Sequence, residues 1–321
     1  MELTESQKRL IMHLQYDFPV DVRPFSVIAE KLGLREREVI EEAKLLMERG
    51  VLKRIGMYVN FRAKGMEGAL IAANIPPGKI EVFRRTALGI REITHNFVRN
   101  HCRFNMWFVM KASNKEELRT RVAEMLSRLE VSDYVILYSK RNLKLSVKYD
   151  VFKGISWSPA ELAPERVPKA EELGVSTEVL KRLSMPLPIT ERPFQRVAAE
   201  VGMTEEELVQ IIGELRRFHV IKDYGATVNG ERIGITENAM LLMNSDRVEE
   251  TCVEVAQKVH EATHVVLRET EGDWEYLCYC MIHGNSRSTL RRVAEEVVKN
   301  VPVNSYMMLY SIENLKPGIV M

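Results

Sequence analysis

The stretch ITHNFVRNHCRFNMWFVM, residues 93–110, concentrates chemistry that a structural hairpin does not need. His95 and His101 can carry a proton near neutral pH, the range in which an unperturbed imidazole titrates. Arg99 can grip a carboxylate through two parallel N–H groups. Trp107 offers a flat face for an aromatic ligand. If the stretch forms two antiparallel strands, alternation puts His95, Phe97 and Arg99 on one face of the first strand. Asn105, Trp107 and Val109 share a face of the second. A single strand histidine is more often a satisfied or exposed side chain than a reactive one. Here, however, the pattern Thr-His-x-x-x-Arg occurs twice, at Thr94 and again at Thr263, while the residues around it differ. The second copy places His264, Val266 and Arg268 on one face, followed by a row of Leu277, Tyr279, Met281 and His283.

The recurrence extends along the chain. RPFSVIAEKLGL at Arg23 returns as RPFQRVAAEVGM at Arg192, and VLKRIGMYVN at Val51 returns as VIKDYGATVN at Val220. These pairs and the two Thr-His motifs all lie 169 residues apart, whereas YVILYSKRNLK at Tyr134 returns 172 residues later at Tyr306. The second copy therefore holds three extra residues between its hairpin strands, around Glu269 to Trp274. A register held this long marks a duplication, one structural unit used twice.

Each unit must position its hairpin with the same elements. Leu3 to Tyr58 reads as three helices and a strand. Thr4 is the N-cap, Gly33 the turn between the second and third helices, and Gly50 the helix stop. That order is a winged helix-turn-helix. Strand Gly68–Ile75, helix Ile80–Ala87, strand Ile93–Arg99, strand Phe104–Ala112, helix Lys115–Leu129 and strand Tyr134–Leu145 follow. This is a ferredoxin-like βαββαβ unit, whose helices cover one sheet face and leave the other for a partner or ligand. The expected fold class is α+β, a tandem repeat of the two. The winged helices occupy 1–60 and 173–229, and the βαββαβ domains 61–150 and 230–321. The Pro-, Gly- and Ser-rich segment 151–172 reads as a linker.

Composition narrows the function. With 321 residues and a net charge of +1, the chain has no global field that would favour nucleic acid or an anionic membrane. An anionic ligand must be held by a local cluster of cations. No apolar run approaches the roughly 20 residues of a membrane span, and the acidic, polar start is unlike a signal peptide. Cys102, Cys252, Cys278 and Cys280 lack the paired spacing of metal or redox sites, and Cys278 and Cys280 read as small core residues on a strand. The expected compartment is the cytoplasm. A helix-turn-helix suggests DNA binding, but the third helix opens with Glu36, Glu38, Glu41 and Glu42, and its twin with Glu205, Glu206 and Glu207. Carboxylates there suit the helix dipole and repel a phosphate backbone. DNA binding is therefore expected to be poor.

A winged helix followed by βαββαβ resembles the Lrp/AsnC regulators, which dimerise by joining their sheets. The hairpins narrow the likeness. THNFVRNHCRFNMWF is similar to the Ser-His-Asn-Tyr-x-Arg-x-His-x-(Phe/Tyr)-Asn-Leu-Trp-Phe segment of siroheme decarboxylases. THVVLRETEGDWEYLCYCMIHG is similar to their companion segment, which ends in Met-Ile-His-Gly. The second copy departs at Val266, Glu275 and Leu277, where the family has Tyr, Pro and Asn. The family usually works as two related subunits, so the resemblance implies both types fused in one chain, an intrachain pseudo-dimer, with a further homo-oligomer left open. It implies decarboxylation of siroheme at its 12 and 18 acetates to give 12,18-didecarboxysiroheme, in alternative haem biosynthesis.

Loss of CO2 needs an electron sink, which the protonated pyrrole ring supplies, and then a proton for the methylene. Histidine suits both steps. The catalytic expectation is His95 and His101 in the first half and His264 and His283 in the second. Arg99 and Arg268 would clamp carboxylates, Asn96 and Asn105 would orient the substrate, and Trp107 and Tyr279 would support the macrocycle. No cofactor or metal ligand set is implied beyond the iron of the substrate itself. His13, His219 and His260 read as structural, on helical segments. Other readings of the same pocket are a ligand-sensing transcription regulator and a tetrapyrrole carrier.

Overall fold

In the computed structural model, which describes residues 2–315, the duplication is visible element by element. The first half runs α1 (Glu5–Tyr16), α2 (Pro24–Leu32), α3 (Glu36–Glu48), β1 (Leu52–Val59), β2 (Glu67–Ala73), α4 (Ile80–Gly89), β3 (Ile93–Arg99), β4 (Met106–Ala112), α5 (Lys115–Arg128) and β5 (Tyr134–Leu145). Two short strands, β6 (Tyr149–Asp150) and β7 (Ile155–Ser156), lie in the connection. The second half runs α6 (Thr177–Leu183), α7 (Pro193–Glu200), α8 (Glu205–Arg217), β8 (Ile221–Val228), β9 (Glu237–Asn244), α9 (Val248–Lys258), β10 (His264–Glu269), β11 (Cys278–Gly284), α10 (Arg287–Asn300) and β12 (Ser305–Asn314).

Local chemistry sets the ends of these helices. Thr4 caps α1 in a reciprocal capping box with Gln7, and Gly33 stops α2 in the left-handed conformation at φ 67°. Apolar stripes then bind the helices together. Leu10, Ile11 and Leu14 of α1, Phe25 and Ile28 of α2, and Val39 and Leu46 of α3 join Phe194, Val197, Leu208 and Ile212 of the second half in one core. The two winged helices are thus a single layer. Their strands complete it, β1 running antiparallel to β8 from Leu52 opposite Val228 to Val59 opposite Ile221.

Within each half the strand order is that of a ferredoxin-like sheet, β5-β2-β4-β3 and β12-β9-β11-β10. The exposed edges pair across the halves, β5 with β10 and β3 with β12. The edge groups that an isolated sheet would leave open are therefore satisfied. With β10 also paired to β11, eight strands close into a ring of antiparallel neighbours. Helices lie outside it: α4 and α5 cover one half, through Phe83, Leu118 and Val122, and α9 and α10 cover the other, through Val255, Leu290 and Val293. Inside, Leu70, Ala72, Trp107 and Leu137 of the first half meet Met240, Leu242, Tyr279 and Leu309 of the second. An eight-stranded barrel has an interior that side chains can fill, and here the two halves fill it jointly.

Two expectations change. Cys278 is not a free core thiol: it forms a disulfide with Cys252, tying α9 to β11, while Cys280 remains a free buried thiol. Only the fold brings these partners together, because nothing in a spacing of 26 residues signals it. The linker packs on the second half. Its β7 extends the sheet beside β11, and Trp157 stacks on His260 at 4.4 Å. His219 and His260 lie in the turns after α8 and α9, not inside helices. Among the described residues no helix is long and apolar enough to cross a membrane.

Candidate active site

The direction of the strands decides which predicted residues meet. β3 and β10 start at the barrel end where β4 and β11 finish, since each pair is antiparallel. The winged-helix layer enters β2 and β9 at that same end. On β3, His95 pairs with Val109 and Phe97 with Trp107, so His95, Phe97 and Arg99 face the barrel interior. On β10, His264 pairs with Met281 and Val266 with Tyr279, which turns His264 and Arg268 inward as well. His283, two residues past Met281 on β11, completes the row. Three of the four predicted catalytic histidines thus converge at the winged-helix end.

All three histidines are held neutral. Burial pushes His95 and His283 down to about 4, and His264 lies well below the ordinary imidazole value. Neighbouring charges add to each shift: Lys222, Lys111 and Arg99 act on His95, Arg99 acts on His283, and Lys222, His95, His283 and Arg268 act on His264. His95 nevertheless presents open surface. Open surface together with strong desolvation describes a side chain in a recess between barrel rim and winged-helix layer. Its Nδ1 lies 3.0 Å from the Thr94 hydroxyl. His283 is fixed through its backbone, whose N–H donates to Ser156 Oγ at 2.9 Å, while its buried Nδ1 has no hydrogen-bond partner.

The arginines form a pseudo-symmetric pair. Arg99 Nη1 donates to the Leu309 carbonyl at 3.0 Å, and Arg268 Nη1 to the Leu137 carbonyl at 3.1 Å. Each guanidinium lies 5.0 Å from an aromatic ring, Phe97 or Tyr279, and burial lowers each to about 10. Neither makes an ion pair with a carboxylate among the described residues, and both Nε atoms are buried without a partner. A buried cation without an anion is costly. Its retention fits a site completed by an anionic ligand.

Sequence reasoning missed three lysines. Lys111 on β4 is pushed down to about 7 by burial and by Lys222 and Lys64. Lys222 on β8 is also lowered by burial, with Lys64 adding to the shift and Asp223 opposing it. Lys64 completes the cluster, lowered by burial and by Arg91. The 172-residue offset could have revealed Lys111, because it occupies the position of His283 in the other copy. Lys222 had no such signal: its twin Lys53 is exposed, and only the crossing of β8 over the barrel end brings Lys222 to the histidines.

The remaining predicted residues lie elsewhere. His101 lies in the loop that follows β3, beyond the strand end opposite His95, which is itself roughly 13 Å back along the strand from Arg99. Its Nδ1 accepts the N–H groups of Arg103 at 3.1 Å and Phe104 at 2.8 Å, and its ring stacks on Phe104 and contacts Trp274. Trp107 donates to the Phe104 carbonyl, Trp274 donates to Tyr279 Oη, and the two indoles lie 6.0 Å apart. This aromatic plug, to which the longer second-half loop contributes Trp274, closes the far end, so Trp107 and Tyr279 are its buried floor. Asn105 clamps Ile75 through both amide ends, at 2.9 and 2.8 Å. Asn96, buried with both amide atoms unpartnered, is on the strand face opposite His95 and so points toward the covering helices. Glu275 is exposed and accepts from Asn244, away from the recess.

The chain is similar to known proteins over nearly its whole length. The family model for the AsnC-like ligand binding domain matches residues 63–144 and 232–316, and that for the siroheme decarboxylase NirDL-like HTH domain matches 7–52 and 176–221. The siroheme decarboxylase of Hydrogenobacter thermophilus is 29% identical over 315 residues, covering 96% of this chain and 92% of its own. The siroheme decarboxylase beta subunit of Desulfovibrio desulfuricans is 30% identical over 141 residues, 43% of this chain and 88% of its own. A crystal structure of the siroheme decarboxylase NirDL in complex with an iron-uroporphyrin III analogue superposes with a TM-score of 0.66. It is 25% identical, covering 97% of this chain and 92% of that one.

Proposed function

Because the chain belongs to the siroheme decarboxylase family, we propose that it is a carboxy-lyase that removes CO2 from the 12 and 18 acetates of siroheme, giving 12,18-didecarboxysiroheme. The observation that carries this reading is the recess itself, where His95, His264 and His283 stand among Arg99, Arg268, Lys111, Lys222 and Lys64. Siroheme carries eight carboxylates, and a basin of this charge complements them. Arg99 and Arg268 would hold carboxylates through N–H groups left over from their carbonyl bonds.

The histidines supply the acid chemistry. Neutral in the empty recess, they gain affinity for protons once carboxylates enter, since a nearby anion favours the imidazolium. A proton placed on the pyrrole ring lets it accept the electron pair of the breaking C–C bond. CO2 leaves, the methylene takes up a proton, and the ring returns the first one. Each acetate therefore becomes a methyl group at a net cost of one proton, without oxidant or reductant. The iron belongs to the substrate, and no further cofactor is proposed. Anaerobic incubation with siroheme followed by mass spectrometry tests this: a product lighter by two CO2 supports it, and unchanged siroheme after long incubation with folded protein defeats it.

A further inference from the structure

Resting on that reading, we infer that Lys111 is a catalytic proton donor, the first half's counterpart of His283, and that the two acetates are processed by chemically unequal half-sites. The strand register makes the correspondence. His264 pairs with Met281, and His283 lies two residues further along β11 on the same face. His95 pairs with Val109, and Lys111 lies two residues further along β4 on the same face. The duplicated barrel thus presents two equivalent pairs at one end, His264 with His283 and His95 with Lys111. His101, which the sequence offered as the partner of His95, stands at the other end.

The surroundings suit lysine to this task. Lys111 pairs with Gly68 of the neighbouring β2, whose missing side chain leaves room for the Phe61 ring, and Lys111 Nζ lies 5.4 Å from that ring. Lys64, Lys222 and His95 face it from the neighbouring elements. An ammonium at its ordinary value near 10.4 gives up its proton reluctantly. Desolvated beside two other cations, Lys111 titrates at about 7, where a general acid is most effective. In the reaction the C–C bond to the carboxylate breaks, its electrons enter the ring, and a C–H bond forms with the ammonium proton. Lys111 is left as the amine, which solvent reprotonates.

The test is product analysis in the full-length chain, comparing Lys111→Met, which keeps the stem, with Lys111→Arg and Lys111→His. With Met or Arg, the product lighter by one CO2 should accumulate, its second decarboxylation slowed by roughly 10² or more. Lys111→His should restore the second step, with its alkaline limb moved to lower pH. Full double decarboxylation by the Arg variant at the wild-type rate would reduce Lys111 to a charge and overturn the inference. Equal loss of both steps in the Met variant, with siroheme still bound, would also overturn it. A wild-type chain that leaves siroheme intact would instead remove the decarboxylase reading on which the inference rests.

Discussion

His95 on β3 and His264 on β10 face each other across the barrel: whichever way the ring is followed, four strand pairings separate the two. They are close enough for the charge on His95 to bear on His264. The histidines of the two halves therefore share one electrostatic environment. The recess exists only because the edges β5–β10 and β3–β12 join, so that the duplication builds one compound site.

Replacing His95, His264 or His283 with Ala should cut turnover by roughly the 10²–10⁴-fold typical of a lost general acid. His101→Ala should spare the chemical step, because its ring belongs to the plug at the far end. That substitution should appear as reduced thermal stability, since two backbone N–H groups lose their acceptor. Product analysis beside a melting curve separates the two effects. A His101→Ala chain that is stable, binds siroheme and is as inactive as His95→Ala would contradict this geometry.

The histidines also set a pH dependence in the empty protein. His95 and His283 titrate at about 4 when folded, His264 lies lower than usual, and an unfolded imidazole titrates near 6.5. Between these values the unfolded chain binds protons that the native chain refuses. Stability should therefore decline as pH falls from about 6.5 toward 4, with no contribution from these groups above that range. Bound siroheme should flatten the decline by raising the native values, and its binding should take up protons. Denaturant unfolding at several pH values, and binding heats in buffers of different ionisation enthalpy, measure both. Equal stability at pH 7 and pH 5 without ligand would rule the effect out.

Much of this architecture was legible because strands and repeats declare themselves locally. Ile93–Arg99 and Tyr134–Leu145 form strands with the predicted ends, and alternation assigned His95, Arg99, His264 and Arg268 to the correct faces. What stayed hidden depends on where distant segments meet. The bond between Cys252 and Cys278 and the approach of Lys222 to the histidines have no period or spacing in the chain, and the seams β5–β10 and β3–β12 are implied only through the family resemblance, as a pseudo-dimer of joined sheets. His101 misled for a geometric reason: residues close in sequence lie far apart when the strand between them is extended. Composition marked 151–172 as a linker but said nothing of its packing, in which Ser156 and Ser158 are fully buried and bond to backbone carbonyls.

The third helices should be poor readers of DNA. Arginines that could meet phosphates are already matched: Arg23 with Glu36, Arg35 with Glu38, Arg37 with Glu41, and Arg192 with Glu205. The strands β1 and β8 are paired with each other. Fluorescence anisotropy with random and genomic duplexes at physiological salt should show no nanomolar, sequence-selective binding. Such binding would favour the regulator reading.

A chain cut within residues 159–168 should yield halves that copurify. Such a cut spares Ser156, whose hydroxyl holds the His283 backbone, and leaves both inter-half seams intact. The joined halves should retain activity. Two stable monomers that do not associate would show that the seams are weaker than their register suggests.

Arg268→Met should separate stability from binding. The wild-type guanidinium is buried, donates to the Leu137 carbonyl and has no carboxylate partner among the described residues. Its removal forfeits the hydrogen bond to that carbonyl, worth about 1–3 kcal/mol if the carbonyl is left unsatisfied, and a longer 3.5 Å bond to Ser139 Oγ. It also relieves the desolvation of an unpaired charge, a cost of several kcal/mol. The unliganded variant should therefore melt at or above the wild-type temperature, with the methionine filling the stem's place beside Tyr279. Siroheme should bind at least about tenfold more weakly, because one good charge-assisted contact is worth about 1.5–3 kcal/mol. Arg99→Met should behave alike if the arginines are equivalent clamps. Calorimetry and a siroheme absorbance titration read the two quantities. A variant that melts well below wild type yet binds siroheme unchanged would mean that Arg268 braces the β10–β5 seam and holds no substrate.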